Sequence, residues 1–332
     1  MGLIVNQGIK NSLSFYLGMA IGAINTILIY PNVFNNQPEH WGLLTIIVAY
    51  ATVLSTFSTL GIPQTFIRFF PSVKQKGELL LFSLIIPLVG FLIICISFFL
   101  FKEEFFLLLN ASPDLINNSV YIFILLFFIS FYNILNSVSR SYLDSTTPIF
   151  LNEVFLKLYS LVILVFHGLK IFDFTTFLKL YILGFIIKFL LLFIIQLFKS
   201  NLLLTFSLKN LDFKDMIKYS SYVFVGGASV MLVTRLDMLM IGAMLDLEQL
   251  AYYTLAFYIG SAIKVPGKAI VSISMPLLAK AWEDQDYNKI KILYSKSSIN
   301  QLIIGGVFFL CVWVNIDAIF SLLPLKYSFG KW

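Results

Sequence analysis

Charged side chains inside apolar stretches are the residues of this sequence most able to do chemistry. They are Glu153, Lys157, Lys188, Arg235, Asp237, Lys264 and Lys268. Placing an ionisable group in hydrocarbon costs roughly 2.5–3.5 kcal/mol on insertion scales, so such groups usually face a cavity or a partner. Five of the seven are cationic. The set therefore favours an anionic ligand, such as a lipid pyrophosphate, over an organic cation.

Arg235 is the strongest single candidate for binding that anion. A guanidinium keeps its proton and can hold a phosphate through two parallel hydrogen bonds. Asp237 lies only two positions away, so the two side chains fall on different faces of a helix and should not neutralise each other directly. The alternative is an ion pair between Arg235 and a carboxylate of another helix.

Glu153 and Lys157 are four residues apart, which places them on one helix face. Two interpretations stay open. The residues form a mutually neutralising pair, or they form an element that faces a cavity and responds to cations or protons. Glu153 and Asp237 are accordingly the candidate coupling groups or charge partners, and Lys157 and Lys188 join the candidate cationic site.

Lys264 and Lys268 flank the dipeptide Pro266-Gly267. Proline removes a backbone hydrogen bond and glycine adds freedom, so a hinge is expected at these two residues. Two like charges one turn apart at a bend suggest a site for an anionic group. The alternative, stronger for Lys268, is that the lysine snorkels toward the membrane surface.

The composition requires a lipid environment. The chain of 332 residues is 59% hydrophobic and 12% charged, whereas soluble chains have about 45–50% and 25%. Nine apolar segments reach the roughly 20 residues that a spanning helix needs. They are 11–30, 42–61, 79–101, 119–140, 149–168, 175–198, 217–245, 251–275 and 299–323. The predicted fold is an all-α polytopic membrane protein with about nine transmembrane helices.

Lysine and arginine predict the orientation. With the N-terminus in the cytoplasm, the inside segments hold thirteen of them and the outside segments hold four. Cytoplasmic loops normally carry this excess. Two inside segments, 199–218 and 278–298, are amphipathic and are expected to form short helices at the membrane surface.

The residue composition and the motifs also argue against several other classes of function. Two cysteines and two distant histidines, His40 and His167, do not suit a disulfide scaffold or a typical metal site. The net charge of +6 forms no continuous stripe for nucleic acid. No phosphate-binding GxxxxGK[ST] loop is present. We therefore expect no catalytic residues, metal or cofactor.

Three motifs carry a resemblance to a known family. They are LGIPQTFIRFFP at 60–71, TRLDMLMIG at 234–242 and PLLAKA at 276–281. With these, the chain resembles the polysaccharide-biosynthesis flippases, the O-antigen-type transporters of the multidrug/oligosaccharidyl-lipid/polysaccharide superfamily. The resemblance extends over the whole chain.

The resemblance implies two six-helix lobes around a central cavity, related as parallel repeats. The first lobe would be 1–200, a cytoplasmic amphipathic linker 201–216, and a partial second lobe 217–332. The resemblance also implies transport by alternating access. The transported molecule would be an undecaprenyl-pyrophosphate-linked glycan, moved across the bacterial inner membrane for the biosynthesis of surface polysaccharide such as lipopolysaccharide O-antigen. Cationic cavity residues would be Arg235, Lys264 and Arg68. Expected partners are membrane lipids and other glycan-assembly membrane proteins.

Two departures refine this expectation. Nine spans leave the second lobe incomplete, which suggests a truncated chain. Span 1 lacks both the cationic residue of the peptidoglycan-precursor branch and the acidic coupling residue of the drug-extruding branch. The alternatives are a cation-coupled multidrug antiporter of the same superfamily and, ranked lower, a membrane glycan-processing enzyme.

Overall fold

The computed structural model describes residues 2–108, 111–199, 205, 207 and 211–327, and this part of the chain is helical without strands. The prediction of an all-α membrane protein is therefore confirmed. The α-helices are α1 (Gly2–Ala23), α2 (Tyr30–Val33), α3 (Pro38–Thr59), α4 (Ile62–Phe69), α5 (Lys76–Leu100), α6 (Lys102–Leu108), α7 (Pro113–Asn117), α8 (Val120–Ser141), α9 (Thr146–Phe150), α10 (Leu156–Gly168), α11 (Phe174–Lys199), α12 (Phe213–Met244), α13 (Leu247–Ala262), α14 (Val265–Glu283), α15 (Tyr287–Val314) and α16 (Ile316–Ser321), with π-helical turns at Ile24–Ile29 and Leu151–Phe155.

Eight continuous helices in the described residues are long and apolar enough to cross a bilayer. They are Asn6–Val33, Pro38–Thr59, Lys76–Leu100, Val120–Ser141, Thr146–Gly168, Phe174–Lys199, Phe213–Met244 and Tyr287–Val314. Their positions match all the predicted spans except the eighth. The chain is accordingly a multi-pass membrane protein.

The predicted eighth span, 251–275, is divided between α13 and α14, which are separated by a turn at 263–264. The Lys264 amide donates to the Ser261 carbonyl at 3.0 Å in this turn. Pro266 is the second residue of α14, a position where a helix has no use for the missing N–H. The interruption thus falls just before the predicted hinge.

The segment 278–298 does not form the separate surface helix that its amphipathic pattern predicts. Its first part completes α14 and its last part begins α15. Asp286 starts α15 because its carboxylate accepts a hydrogen bond from the Lys289 amide at 2.9 Å. As a result, α15 begins well before the predicted ninth span, 299–323.

The helices form two compact units that each draw on separate parts of the chain. Unit 1 contains Met1–Asn36, Ser145–Ile171 and Tyr252–Trp332, and unit 2 contains Gln37–Asp144 and Phe172–Ala251. The division into lobes 1–200 and 217–332 stays a prediction. Most of the predicted linker before residue 211 lies outside the described residues.

In unit 2, glycine and serine allow α3 and α5 to approach closely. The Ser58 hydroxyl donates to the Pro87 carbonyl at 2.8 Å. A Cβ added at Gly90 would lie 2.4 Å from the Ser58 carbonyl oxygen. Small residues are the usual means of close helix packing in membranes. The core beside this contact consists of Ile62, Phe66, Leu79, Phe82, Ile134, Val138, Leu211 and Met216.

The ends of the spans in unit 2 are fixed by polar contacts outside the apolar stretches. Lys199 pairs with Asp144 at 2.8 Å. Asp173 precedes α11 and accepts a hydrogen bond from the Thr176 amide at 3.2 Å. Hydrogen bonds from the Thr176 side chain and backbone lower the pKa of Asp173. Capping by a carboxylate stabilises the first turn of a helix.

Gly90→Ala should lower the stability of unit 2, because the new methyl group must displace the α3 backbone at Ser58. Overpacking of this kind costs about 1–3 kcal/mol. The matched control is Gly305→Ala in α15, where an added Cβ has no neighbour within 4 Å among the described residues outside its own stretch of helix backbone. Denaturant unfolding of the solubilised protein should show a lower midpoint for Gly90→Ala only. Equal midpoints for the two variants would contradict the close approach.

Candidate functional site

Glu153 and Lys157 form an ion pair in unit 1, as their spacing predicts. The Lys157 Nζ lies 3.0 Å from the Glu153 Oε2. The same ammonium donates to the Gly18 carbonyl of α1 at 3.1 Å. Gly18 is needed at this point, since a Cβ there would lie 2.5 Å from the Glu153 carbonyl oxygen. The pair therefore also joins α10 to α1.

Both helices that meet at this pair contain a π-helical turn. Glu153 lies in the turn Leu151–Phe155, and Asn25 lies in the turn Ile24–Ile29. The Asn25 amide donates to the Lys157 carbonyl at 2.9 Å and to the Ser160 hydroxyl at 3.2 Å. Turns of this type widen the helix and are frequent at functional sites. Asn25, a polar residue in the middle of span 1, is the sequence signal that could have indicated this contact.

Asn25 is buried, yet its hydrogen bonding is incomplete. Its Oδ1 has no hydrogen-bond partner among the residues that the structure describes. Six residues before Asn25, the Met19 carbonyl of α1 accepts a hydrogen bond from the Tyr258 hydroxyl at 3.2 Å. A Cβ on Gly22 would lie 2.1 Å from that hydroxyl oxygen. Tyr258 thus contacts α1 directly.

The two lysines at the predicted hinge are exposed in unit 1. The Lys264 Nζ lies 6.0 Å from the Phe257 ring centroid, which is at the outer limit of a cation–π contact. Pro266 is buried and follows the break between α13 and α14. An added Cβ on Gly267 would find its nearest neighbour, the Gln301 Oε1, at 4.0 Å. Packing therefore does not require glycine at position 267.

In unit 2, two of the candidate cations lie over aromatic rings. The Arg68 Cζ is 4.5 Å from the Tyr219 ring centroid. The Lys188 Nζ is 4.1 Å from the Tyr132 centroid and 5.0 Å from that of Phe185. Lys188 is only 4% exposed. Because Lys188 is buried and its ammonium lies over two rings, it is poorly placed to reach a ligand, whereas Arg68 is exposed.

Arg235 has a different environment in unit 2. Its Nη1 donates to the Met238 Sδ at 3.5 Å, and a thioether is a weak acceptor. Within the described part of the chain, no carboxylate lies within ion-pair distance of the guanidinium. Asp237 is exposed on the same helix and does not pair with it. Among the described residues, the guanidinium thus has a thioether sulfur as its side-chain hydrogen-bond acceptor.

The candidate residues thus occupy several environments. Within unit 1, the structure brings Glu153 and Lys157 together. Within unit 2, the contacts of Arg68, Lys188 and Arg235 are with different side chains. Of the sequence-predicted site residues, the structure therefore shows one direct pair, Glu153 with Lys157, among the residues it describes.

Solved transporter structures share this fold. One is a MOP superfamily transporter from Pyrococcus furiosus whose binding pocket is described as reversed in polarity. It matches with a TM-score of 0.72 and 16% identity, and the match covers 98% of this chain and 75% of that one. Inward- and outward-facing structures of a multidrug resistance MATE family transporter give TM-scores of 0.68 and 0.72, with 14% and 15% identity. They cover 96% and 98% of this chain and 75% of the other.

The sequence itself defines the family. A search of curated proteins found no match. A family profile described as "Polysaccharide biosynthesis protein" matches residues 9–282, which is most of the chain. This chain therefore belongs to the polysaccharide biosynthesis protein family, on a fold similar to that of MATE transporters of the MOP superfamily.

Proposed function

We propose that this chain is a flippase that moves undecaprenyl-pyrophosphate-linked oligosaccharide across the bacterial inner membrane for surface polysaccharide such as O-antigen. The observation that carries the proposal is the combination of a polysaccharide biosynthesis profile over residues 9–282 with a fold similar to that of transporters. Such a substrate has an anionic pyrophosphate next to a lipid tail. Alternating access would carry that head group through the membrane.

Arg235 is the residue best suited to bind the pyrophosphate. Its guanidinium contacts the Met238 sulfur, which carries no charge and so does not neutralise it as a carboxylate would. Lys264, exposed at a helix break, and Arg68, exposed at the end of α4, are the next candidates. Lys157 is less suited because Glu153 and the Gly18 carbonyl already engage its ammonium.

Glu153 is the candidate coupling group. Protonation of its carboxylate would remove the ion pair at 3.0 Å and leave Lys157 held by the Gly18 carbonyl. That change would remove the negative charge beside the Lys157 ammonium, at the point where α10 contacts α1. A proton gradient could act on the transporter through this contact.

The second candidate is a cation-coupled multidrug antiporter, since multidrug resistance MATE transporters are among the structures with this fold. A cationic drug needs an available acid, but the Glu153 carboxylate is engaged by Lys157. A membrane glycan-processing enzyme ranks lower, because both histidines make ring contacts that suit a packing role. The His40 ring centroid is 3.8 Å from that of Phe174, and the His167 centroid is 5.5 Å from that of Phe34. Drug extrusion without glycan export would favour the antiporter.

The N-terminus is proposed to be cytoplasmic. Lys74 and Lys102 are exposed at opposite ends of α5 and provide a matched pair for labelling. In a variant without Cys95 and Cys311, a cysteine at position 102 should react with a membrane-impermeant maleimide in intact cells. A cysteine at position 74 should react only after the cells are opened. The reverse pattern would invert the topology.

Arg235→Ala should abolish or strongly reduce glycan export while leaving membrane insertion intact. A hydrogen bond to a charged group contributes about 1.5–3 kcal/mol, and a guanidinium can form two with phosphate. The measurement is surface glycan in a flippase-deletion strain. Thr234→Ala is the control, since the Thr234 hydroxyl donates to the Val230 carbonyl of its own helix. Normal export by Arg235→Ala would remove this residue from the site.

Lys157→Ala should impair export more than Glu153→Gln. Loss of the lysine leaves a largely buried carboxylate without its cation, whereas glutamine removes the charge and keeps a polar side chain. The Lys157 ammonium can still donate to the Gly18 carbonyl in Glu153→Gln. The same complementation assay, normalised to membrane content, tests the order. Equally severe defects would instead indicate a specific role for the carboxylate.

A further inference from the structure

Unit 2 contains a polar cavity that none of the candidate residues above lines. Its volume is about 260 Å³, and its walls come from the end of α3, the start of α4, α8 and α12. Polar side chains on its surface include Gln64, Asn133, Asn136 and Arg140. Part of the opposite wall is formed by Phe224 and Gly227 of α12. The cavity thus combines amide and guanidinium groups with an aromatic ring.

The polar groups of α8 form a stripe. Asn133, Asn136 and Arg140 follow one another at intervals of three and four residues, so they lie on one face of the helix. The membrane offers little water to such groups, and polar side chains in spans usually find a partner in another helix. Gln196 illustrates this rule in the same unit, because its Nε2 donates to the Ser139 hydroxyl at 3.0 Å.

The cavity side chains differ from Gln196 in this respect. The side chains of Gln64, Asn133, Asn136 and Arg140 make no hydrogen bond to any residue that the structure describes. The neighbouring hydroxyls are already satisfied, since Thr59 donates to the Ser55 carbonyl at 2.9 Å. Water or a ligand must therefore supply the hydrogen-bond partners of these amides and of the guanidinium.

The walls of the cavity are held in place by the turn between α3 and α4. Leu60 and Gly61 both have positive φ, at 46° and 79°. The Ser220 hydroxyl of α12 donates to the Leu60 carbonyl. A Cβ on Gly61 would lie 2.5 Å from the Ser220 carbonyl oxygen. This contact fixes α12 against the turn, so the polar groups converge on a preformed space.

The charge and size of the cavity limit its ligand. Arg140 is the one ionisable residue among those that line it, so the lining has no carboxylate to attract a cation. Pockets for drug-sized molecules occupy about 300–1,000 Å³, and this one is smaller. Amides that both donate and accept suit hydroxyl groups, and the guanidinium suits one phosphate or carboxylate.

We propose that this cavity binds a sugar ring that carries an anionic group. The source of this ligand would be the sugar phosphate at the lipid end of the transported glycan, and this assignment rests on the proposed function. In the proposed topology Arg140 lies at the cytoplasmic end of its span, on the side where the substrate is assembled. A phospholipid head group with hydroxyls, such as phosphatidylglycerol, has the same chemistry and is the competing source.

Two adjacent glycines of α12 provide a matched test. At both Gly226 and Gly227, an added Cβ would find no described atom within 4 Å beyond the nearby backbone of α12 itself, but of the two only Gly227 lines the cavity. Leucine should be tolerated at both positions, since it favours a helix over glycine. Gly227→Leu would place its side chain against the cavity, and Gly226→Leu would leave the cavity open.

The experiment measures the unfolding temperature of the purified protein in phosphatidylcholine nanodiscs as glucose 1-phosphate is titrated. Wild type and Gly226→Leu should be stabilised, and more by glucose 1-phosphate than by glucose or inorganic phosphate alone. Gly227→Leu and Arg140→Ala should show at least about tenfold weaker apparent affinity, because one loses space and the other a charge-assisted hydrogen bond. Equal responses of the two leucine variants would overturn the proposal.

Two further measurements distinguish a glycan ligand from a lipid head group and test whether the cavity is needed for transport. If phosphatidylglycerol nanodiscs protect the protein and eliminate the glucose 1-phosphate response, the cavity is a lipid head-group site and the sugar assignment fails. Glycan export in a flippase-deletion strain should be lost in Gly227→Leu and kept in Gly226→Leu. Failure of the wild type to export would contradict the proposed function, whereas the binding difference between the leucine variants would still support the cavity.

Discussion

The scarcity of water inside a bilayer is the constraint on which the rest of this structure depends. Backbone groups must pair within their own segment, so the spanning elements are helices. Side-chain polar groups face the same requirement. Lys157 meets it with a carboxylate and a backbone carbonyl, Asn25 with a carbonyl and a hydroxyl, and Lys188 with aromatic rings. Each solution joins two elements, so satisfying a polar group also positions a helix.

Close backbone approach makes several of these contacts possible. Lipid removes most of the hydrophobic driving force between helices, and packing must replace it. Gly18 lets the α1 backbone reach Glu153, and its carbonyl then accepts from Lys157. Gly90 has the corresponding role opposite Ser58 in unit 2. A glycine and a polar neighbour thus work together at both places, one providing space and the other a directional bond.

The sequence was sufficient for the fold class because hydropathy and length are properties of each segment alone. The Glu153–Lys157 pair was predictable for the same reason, since both residues belong to one stretch of helix. The break before Pro266 and the early start of α15 at Asp286 depend on local capping, which hydropathy does not register. The contact of Asn25 with Lys157 spans 132 residues of sequence. Contacts of that kind, including the walls of the polar cavity, arise only from tertiary packing.

A count of intramembrane charges gives each cation the same weight, but their environments differ. Lys188 is enclosed by rings and Lys157 is paired, so neither adds fully to the positive charge that a ligand would meet. Arg235 and Arg140 lack an ion-pair partner in the described residues. A guanidinium also cannot escape its charge by losing a proton. Under the proposed function, an anionic substrate would meet the full charge of both arginines, and the amides beside Arg140 would extend the preference from charge to hydroxyl groups.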